Sequence, residues 1–349
     1  MLGRNNMFNI IRSRRSCQLP LYVIVLGLIV ALALLIITLD GPGNTVIEES
    51  IRNNGTQGLE SSVLPLPTME FINGREIIWQ IPTNPIAVLF IAHGCGGTSL
   101  NFWDQGSTCP KCVGFPEENR IVQFALAQNF GVLTITSSDN CWSSENERLR
   151  VGEIIKWWIR KNSLVNVPLF GLGASAGGYF LSRLATEVRF RAIVLMISSG
   201  LFDRMNIPHD YPPTLFVHMP KDIMRAERVE RHIELLRKKG IETKEIKCME
   251  FPLTASWLVD RVSGLDKPTS TKLLKLFQDK TFIDEQGFMR EDGRTTPWKQ
   301  ALKQSNILLP FGSKLMNDIQ EELNLAYGYH EMTSLQSDQI FEWLKSHIS

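Results

Sequence analysis

The stretch Leu169–Phe180, LFGLGASAGGYF, places one serine among glycines. Gly173-Ala174-Ser175-Ala176-Gly177 fits G-x-S-x-G, after an apolar run that reads as a strand and before a run that reads as a helix. Such a turn forces the serine into an awkward backbone conformation and projects its hydroxyl outward. Glycines two residues on either side keep Cβ atoms away where strand and helix approach. The amide of Ala176 then opens a helix and points at the place where an oxyanion would form. The alternative role for Ser175 is a small residue at a tight strand–helix contact.

A serine nucleophile needs a base. Of six histidines, His330 stands out, in AYGYHEMTSLQSDQ just before the last amphipathic helix. His209 lies in a Pro-rich loop, His218 inside a strand-like run as a core residue, His232 on a charged helix face and His347 at the terminus. The base needs an orienting carboxylate. Asp222 closes PTLFVHMPKD, two strands after the serine, which gives the chain order Ser, Asp, His. Asp222 could instead cap the following helix, and Glu250 is the second candidate acid. AHGCGG contains His93, Gly94, Cys95, Gly96 and Gly97. A glycine-rich turn straight after a strand supplies a second oxyanion donor, from the amide of Cys95 or Gly96. The motif glycines are thus Gly94, Gly97, Gly173 and Gly177.

These residues need a scaffold that gathers strand ends. EFINGREIIWQIP reads as a hairpin about Asn73-Gly74. PIAVLFIAHG, GVLTITSSD, VPLFGLG, FRAIVLMISSG, PTLFVHMPKD and ETKEIKCMEF read as strands, with helical patterns between them. The alternation predicts an α/β fold: a mostly parallel central sheet with helices on both faces. Such sheets carry their sites at the carboxyl ends of the strands. From 253 to 325 the alternation stops, and short helical segments with Gly and Pro breaks predict a helical insertion or cap before His330.

The chain has 349 residues, 44% hydrophobic and 21% charged, with net charge +1. That gives ample core and no global field for a polyanion, so no nucleic-acid partner is expected. Residues 1–18 carry Arg4, Arg12, Arg14 and Arg15 without an acid, and 19–39 carry no charge. The expectation is a cytosolic basic tail and one transmembrane anchor, because about 20 apolar residues cross a bilayer core. Residues 40–61 read as a flexible stem with a sequon at Asn54, and 62–349 as the catalytic domain on the lumenal or extracellular side. The anchor's length favours endoplasmic reticulum or Golgi over plasma membrane. In an oxidising lumen the cysteines should pair. Cys109 and Cys112 form CPKC, expected as a disulfide within the loop or from the loop to Cys141. A zinc site lacks well-spaced further ligands and a thiol-redox role lacks its helix start, so neither metal nor cofactor is expected.

With these residues in hand, the chain resembles the α/β-hydrolase superfamily over about 70–250 and 327–349. It is similar more narrowly to a membrane-anchored group of plant α/β-hydrolases, through HGCGGTSLNFWD, CPKC, LGASAGGYF, PPTLFVHMPKD, MEFPL and HEMTSL. The resemblance implies Ser175 as nucleophile, Asp222 as acid and His330 as base. The expected function is a membrane-anchored serine hydrolase acting on an ester or related acyl bond, of a small molecule or glycan. The alternatives are an inactive scaffold on the same fold and a thiol oxidoreductase using Cys109 and Cys112.

Overall fold

The computed structural model describes residues 66–349 except 143–144, 306 and 310–312. The chain divides into two units, 1–62 and 63–349. The first unit, with the expected basic tail, anchor, stem and Asn54, lies outside the described residues. Among the described residues no helix is long and apolar enough to cross a membrane.

The second unit is built on an eight-stranded sheet in the order β1-β2-β4-β3-β5-β6-β7-β8. β1 (Thr68–Ile72) and β2 (Arg75–Gln80) form the expected hairpin. Asn73 and Gly74 at its turn have φ of 52° and 75°, as a type I′ turn requires. β2 runs antiparallel to β4 (Phe130–Ile135). Every later pairing is parallel, through β3 (Ala87–Ala92), β5 (Leu169–Ala174), β6 (Ile193–Met196), β7 (Thr214–His218) and β8 (Thr243–Lys247).

The central strands are apolar throughout because both faces are covered. Along β3, Leu89 and Ile91 face one layer, where they pack with Ile121 and Val122 of α1 (Pro116–Ala127) and Phe341 of α9 (Ser337–Lys345). Val88 and Phe90 face the other layer. There they meet α2 (Glu145–Lys161), α3 (Ala176–Leu184) and α4 (Ile223–Lys238). The two-residue period of the strand thus sorts its side chains between two cores. The sheet fits an α/β-hydrolase fold. Its strand order reverses at β3: α1 leads from β3 to β4 on one face, and α2 leads back across to β5 on the other. Loops leaving the carboxyl ends of β3 and β5 therefore diverge and leave a crevice.

After β8 come α5 (Ala255–Arg261), α6 (Lys267–Asp279), α7 (Trp298–Lys303) and α8 (Lys314–Tyr327). They enclose a core of their own, with Leu258, Leu273, Phe277, Trp298 and Ile319. Thr254 and Asp266 cap α5 and α6 by accepting from the amides of Trp257 and Thr269. α8 ends at Gly328, whose φ of 70° turns the chain toward His330. Buried ion pairs pin this lobe to α1. Arg261 meets both Glu117 and Glu322, and the other oxygen of Glu117 accepts from the amide of Ser334 at 2.6 Å.

Packing against α2 gives a stability test. Trp158 is fully buried and meets Trp79 edge to face at 6.4 Å. Trp158→Ala should cost about 3–5 kcal/mol, read as a lowered urea midpoint with an unchanged slope.

Candidate active site

Ser175 sits between β5 and α3 with φ 50° and ψ −113°. A non-glycine residue there carries strain of about 1–3 kcal/mol, which persists only where the surroundings impose it. Here they do. Its N–H donates to the Met196 carbonyl at 2.9 Å, and its own carbonyl accepts from the Gly178 amide at 3.0 Å. A Cβ on Gly173 would lie 2.4 Å from the Gly177 carbonyl oxygen. A Cβ on Gly177 would lie 2.1 Å from that of Ala92. Two glycines are thus needed for the backbone approach that creates the turn.

His330 reaches Ser175 across 155 positions of sequence: its Nε2 lies 3.0 Å from the serine Oγ. Its Nδ1 lies 3.0 Å from Oδ2 of Asp222. The acceptor-only carboxylate fixes Nδ1 as the donor and leaves Nε2 free to accept the serine proton. Asp222 does stand at the N-cap position of α4, but its side chain makes no capping bond. The carboxylate serves the imidazole and Nε of Arg225, at 2.7 Å, instead. Arg225 Nη1 donates to the Tyr179 hydroxyl at 2.6 Å, tying the acid arm back to the helix behind the serine. Glu250 takes no part; its nearest cation is Lys221 at 3.9 Å. The His330 carbonyl accepts from Arg294 Nη2 at 2.7 Å, which fixes the loop from outside.

The turn from His93 to Gly97 lies beside Ser175, and both line one cavity of about 420 Å³. Gly96 is not a free donor as expected from the sequence. Its N–H is spent on the Asn140 carbonyl at 2.7 Å. The amide of Cys95 has no partner among the described residues, and neither does that of Ala176, an orphan of the first helical turn. Those two remain for an oxyanion. His93 braces the turn: Nδ1 donates to the Gly94 carbonyl at 2.7 Å, and Nε2 accepts from the Ser137 amide at 3.0 Å. Burial lowers its pKa and keeps it neutral.

The cysteines pair differently from one expectation. Cys109 closes on Cys112 within the loop, but Cys141 pairs with Cys95. The loop after β4 runs beside the oxyanion turn, so Cys141 finds Cys95 rather than CPKC. Cys109 and Cys112 are buried, which does not suit thiol exchange. Cys248 is a buried free thiol with its pKa pushed up to about 12 by burial. His232, expected on a charged face, is buried, with Nδ1 donating to the Ser199 carbonyl at 2.7 Å. His218 is a core residue, bonded to Glu245 at 2.7 Å. Among the described residues no group of three His, Cys, Asp or Glu is placed to hold a metal ion.

Sequence reasoning missed Arg225, Tyr179 and the acidic residues of the cavity, Glu118, Glu321 and Glu331. Arg225 had a signal, three residues beyond Asp222 on one helix. Glu118 and Glu321 had none, since only the docking of α8 brings them to one wall.

Burial lowers the His330 pKa below its ordinary 6.5, Arg225 lowers it further, and Asp222 opposes both. The imidazole is therefore neutral and basic at pH 7. Arg225→Gln removes a cation that disfavours imidazolium, so the pKa should rise. Titration of the His330 ring by NMR should show a midpoint below 6.5 in the wild type and a higher one in the variant. Equal midpoints would contradict the assigned cause.

No family model matches the chain, and no curated protein matches it. Solved structures similar to it include TT1662 of Thermus thermophilus, 17% identical over 52% of this chain and 90% of that one, with a TM-score of 0.38. The α/β hydrolase MGS-M1, from a Medee basin deep-sea metagenome library, is 16% identical, covering 58% and 89%, TM-score 0.41. Carboxyl esterase 2 of the mycorrhizal fungus Tuber melanosporum is 14% identical, covering 66% and 95%, TM-score 0.40. At these identities and TM-scores none of the likenesses bears on the chemistry of the site.

Proposed function

We propose that the protein is a serine hydrolase that cleaves an ester or related acyl bond through an acyl-enzyme. The observation that carries this reading is the continuous relay from Ser175 Oγ to His330 Nε2 and from His330 Nδ1 to Asp222, each step 3.0 Å, with the serine on a strained turn.

His330 Nε2 takes the hydroxyl proton as Ser175 Oγ attacks the acyl carbon. Asp222 holds the tautomer and stabilises the imidazolium. The negative charge that develops on the acyl oxygen is met by the amides of Ala176 and Cys95, fixed in direction before the reaction begins. The imidazolium returns its proton to the leaving oxygen, and the acyl group stays on Ser175. Water, deprotonated by the same Nε2, then releases the acid. A carboxylic ester is the first expectation, because the relay supplies a nucleophile, a proton shuttle and an oxyanion site and nothing more specialised.

The proposal includes the membrane anchor at 19–39, a lumenal or extracellular catalytic domain and an acyl substrate on a small molecule or glycan. Two disulfides among the described residues support an oxidising compartment.

The test is covalent labelling of the purified chain with a fluorophosphonate, followed by peptide mapping. Label is expected on Ser175 alone, lost in Ser175→Ala and at least about 10³-fold slower in His330→Ala or Asp222→Asn. A folded, oxidised sample that takes no label would turn the reading to a non-catalytic binding protein on the same fold.

A further inference from the structure

Among the described residues six that are not glycine have a positive φ. Four of them serve local turns. Asn73 opens the hairpin turn, and Asn129, Ser163 and Thr281 lie two residues beyond the ends of α1, α2 and α6, where a left-handed residue closes a helix. The other two are Ser175 at 50° and Ile197 at 45°. They leave the carboxyl ends of neighbouring parallel strands, β5 and β6, where Ala174 stands opposite Met196. For a branched aliphatic residue this conformation is costly, and glycine would take it without strain. The surroundings hold Ile197 there. The Met196 carbonyl accepts from the Ser175 amide at 2.9 Å, and the Ile197 N–H donates to the Val217 carbonyl at 2.6 Å. The chain then passes so close to α3 that a Cβ on Gly178 would lie 2.4 Å from that of Ser198. The next carbonyl, of Ser199, accepts from His232 Nδ1.

The position of Ile197 explains why the strain is kept. The strands run in the order β5-β6-β7. Ser175 leaves β5, Asp222 follows β7, and His330 reaches both at 3.0 Å. The imidazole therefore lies across the end of β6, where Ile197 stands. Ile197 is 5% exposed. It lines the catalytic cavity with Ser175, His330 and Met332, and among the described residues of that lining it is the one branched aliphatic side chain. We propose that Ile197 is a positioning residue: its side chain forms an apolar floor beneath His330, which shuts water out of the relay from the sheet side and keeps the ring in line between Ser175 and Asp222. The inference rests on the hydrolase reading and adds a residue outside the relay to it. The titratable and charged groups facing the ring come from elsewhere. Asp222 and Arg225 flank it on the side of α4, and Arg294 holds its backbone from the lobe. Glu331 follows it in sequence, and Glu118 of α1 and Glu321 of α8 line the cavity beyond. Burial is the first cause of the lowered His330 pKa, and a floor that excludes water contributes to that burial.

The test uses the full chain with isotope-labelled isoleucine methyl groups. The Ile197 methyls should show a nuclear Overhauser contact with the His330 ring, and its absence would overturn the proposal even if no variant folds. Ile197→Gly keeps the turn without strain and removes the floor, whereas Ile197→Val keeps a branched side chain. In the glycine variant water reaches the ring and favours imidazolium, so the His330 midpoint by NMR should rise by about half a pH unit or more. Fluorophosphonate labelling of Ser175, followed against pH, should show the same rise in midpoint and a plateau rate about tenfold lower, as a displaced base gives. The valine variant should keep the wild-type midpoint and a plateau within about twofold. A residue that only fills the core would lower the urea midpoint and move neither. A folded glycine variant in which the His330 midpoint or the plateau stays at its wild-type value overturns the proposal, and so does a valine variant that loses as much as the glycine. No label on wild-type Ser175 defeats the hydrolase reading and the positioning role together; label with an unmoved midpoint or plateau in the glycine variant defeats the positioning role alone.

Discussion

The carboxyl ends of β3 and β5 meet at the backbone of Gly177, where a side chain would lie 2.1 Å from the carbonyl oxygen of Ala92. That contact sets the height of α3 over the sheet. It also forces the sharp turn in which Ser175 takes a positive φ, and it brings the turn from His93 to Gly97 alongside the serine. The turns that carry Ala176 and Cys95 lie side by side because two strand ends are pressed together with no Cβ between them. The constraint is steric and local, and the strong ladders of β3 with β4 and β5 hold it in place.

Around that contact the protein adds braces from distant parts of the chain. The Cys95–Cys141 disulfide and the Gly96–Asn140 hydrogen bond tie the oxyanion turn to the loop after β4. His93 spans the same gap as a neutral, buried imidazole bonded at both nitrogens. Arg225 links Asp222 to Tyr179, and Arg294 holds the His330 backbone. Asp222 and the backbone of His330 are thus each held by a partner outside the relay, which the proposed proton transfer would need.

Much of this was legible in the sequence where the signal was local. Asn73-Gly74 set a hairpin because few dipeptides accept two positive φ angles. The apolar runs of β3 to β7 marked strands covered on both faces. G-x-S-x-G, read together with a strand before it and a helix after it, located the serine, and chain order nominated Asp222 and His330. What failed to show depended on which loops become neighbours. The partner of Cys141 and the spent amide of Gly96 follow from the loop after β4 crossing the oxyanion turn, and no spacing encodes that. His232 looked exposed because its helix neighbours are charged, yet its own position faces the Ser199 carbonyl. The membrane reading rests on residues 19–39, outside the described structure.

Several of the places where the chain breaks local rules lie together. Two non-glycine residues with positive φ, Ser175 and Ile197, and the amide of Cys95, without a partner among the described residues, border one cavity with Glu118 and Glu321, which no cation pairs. Strain and unsatisfied polarity in a core weaken a fold, and selection for stability alone would remove them. Arg261 shows that the chain can neutralise buried carboxylates when stability is what they serve: it holds Glu117 and Glu322, and by doing so docks the lobe on α1. Glu118, next in sequence to Glu117, and Glu321, next to Glu322, receive no such partner. The two pairs of adjacent glutamates divide the work between them. One member of each closes the interface, and the other lines the cavity, where burial keeps it protonated.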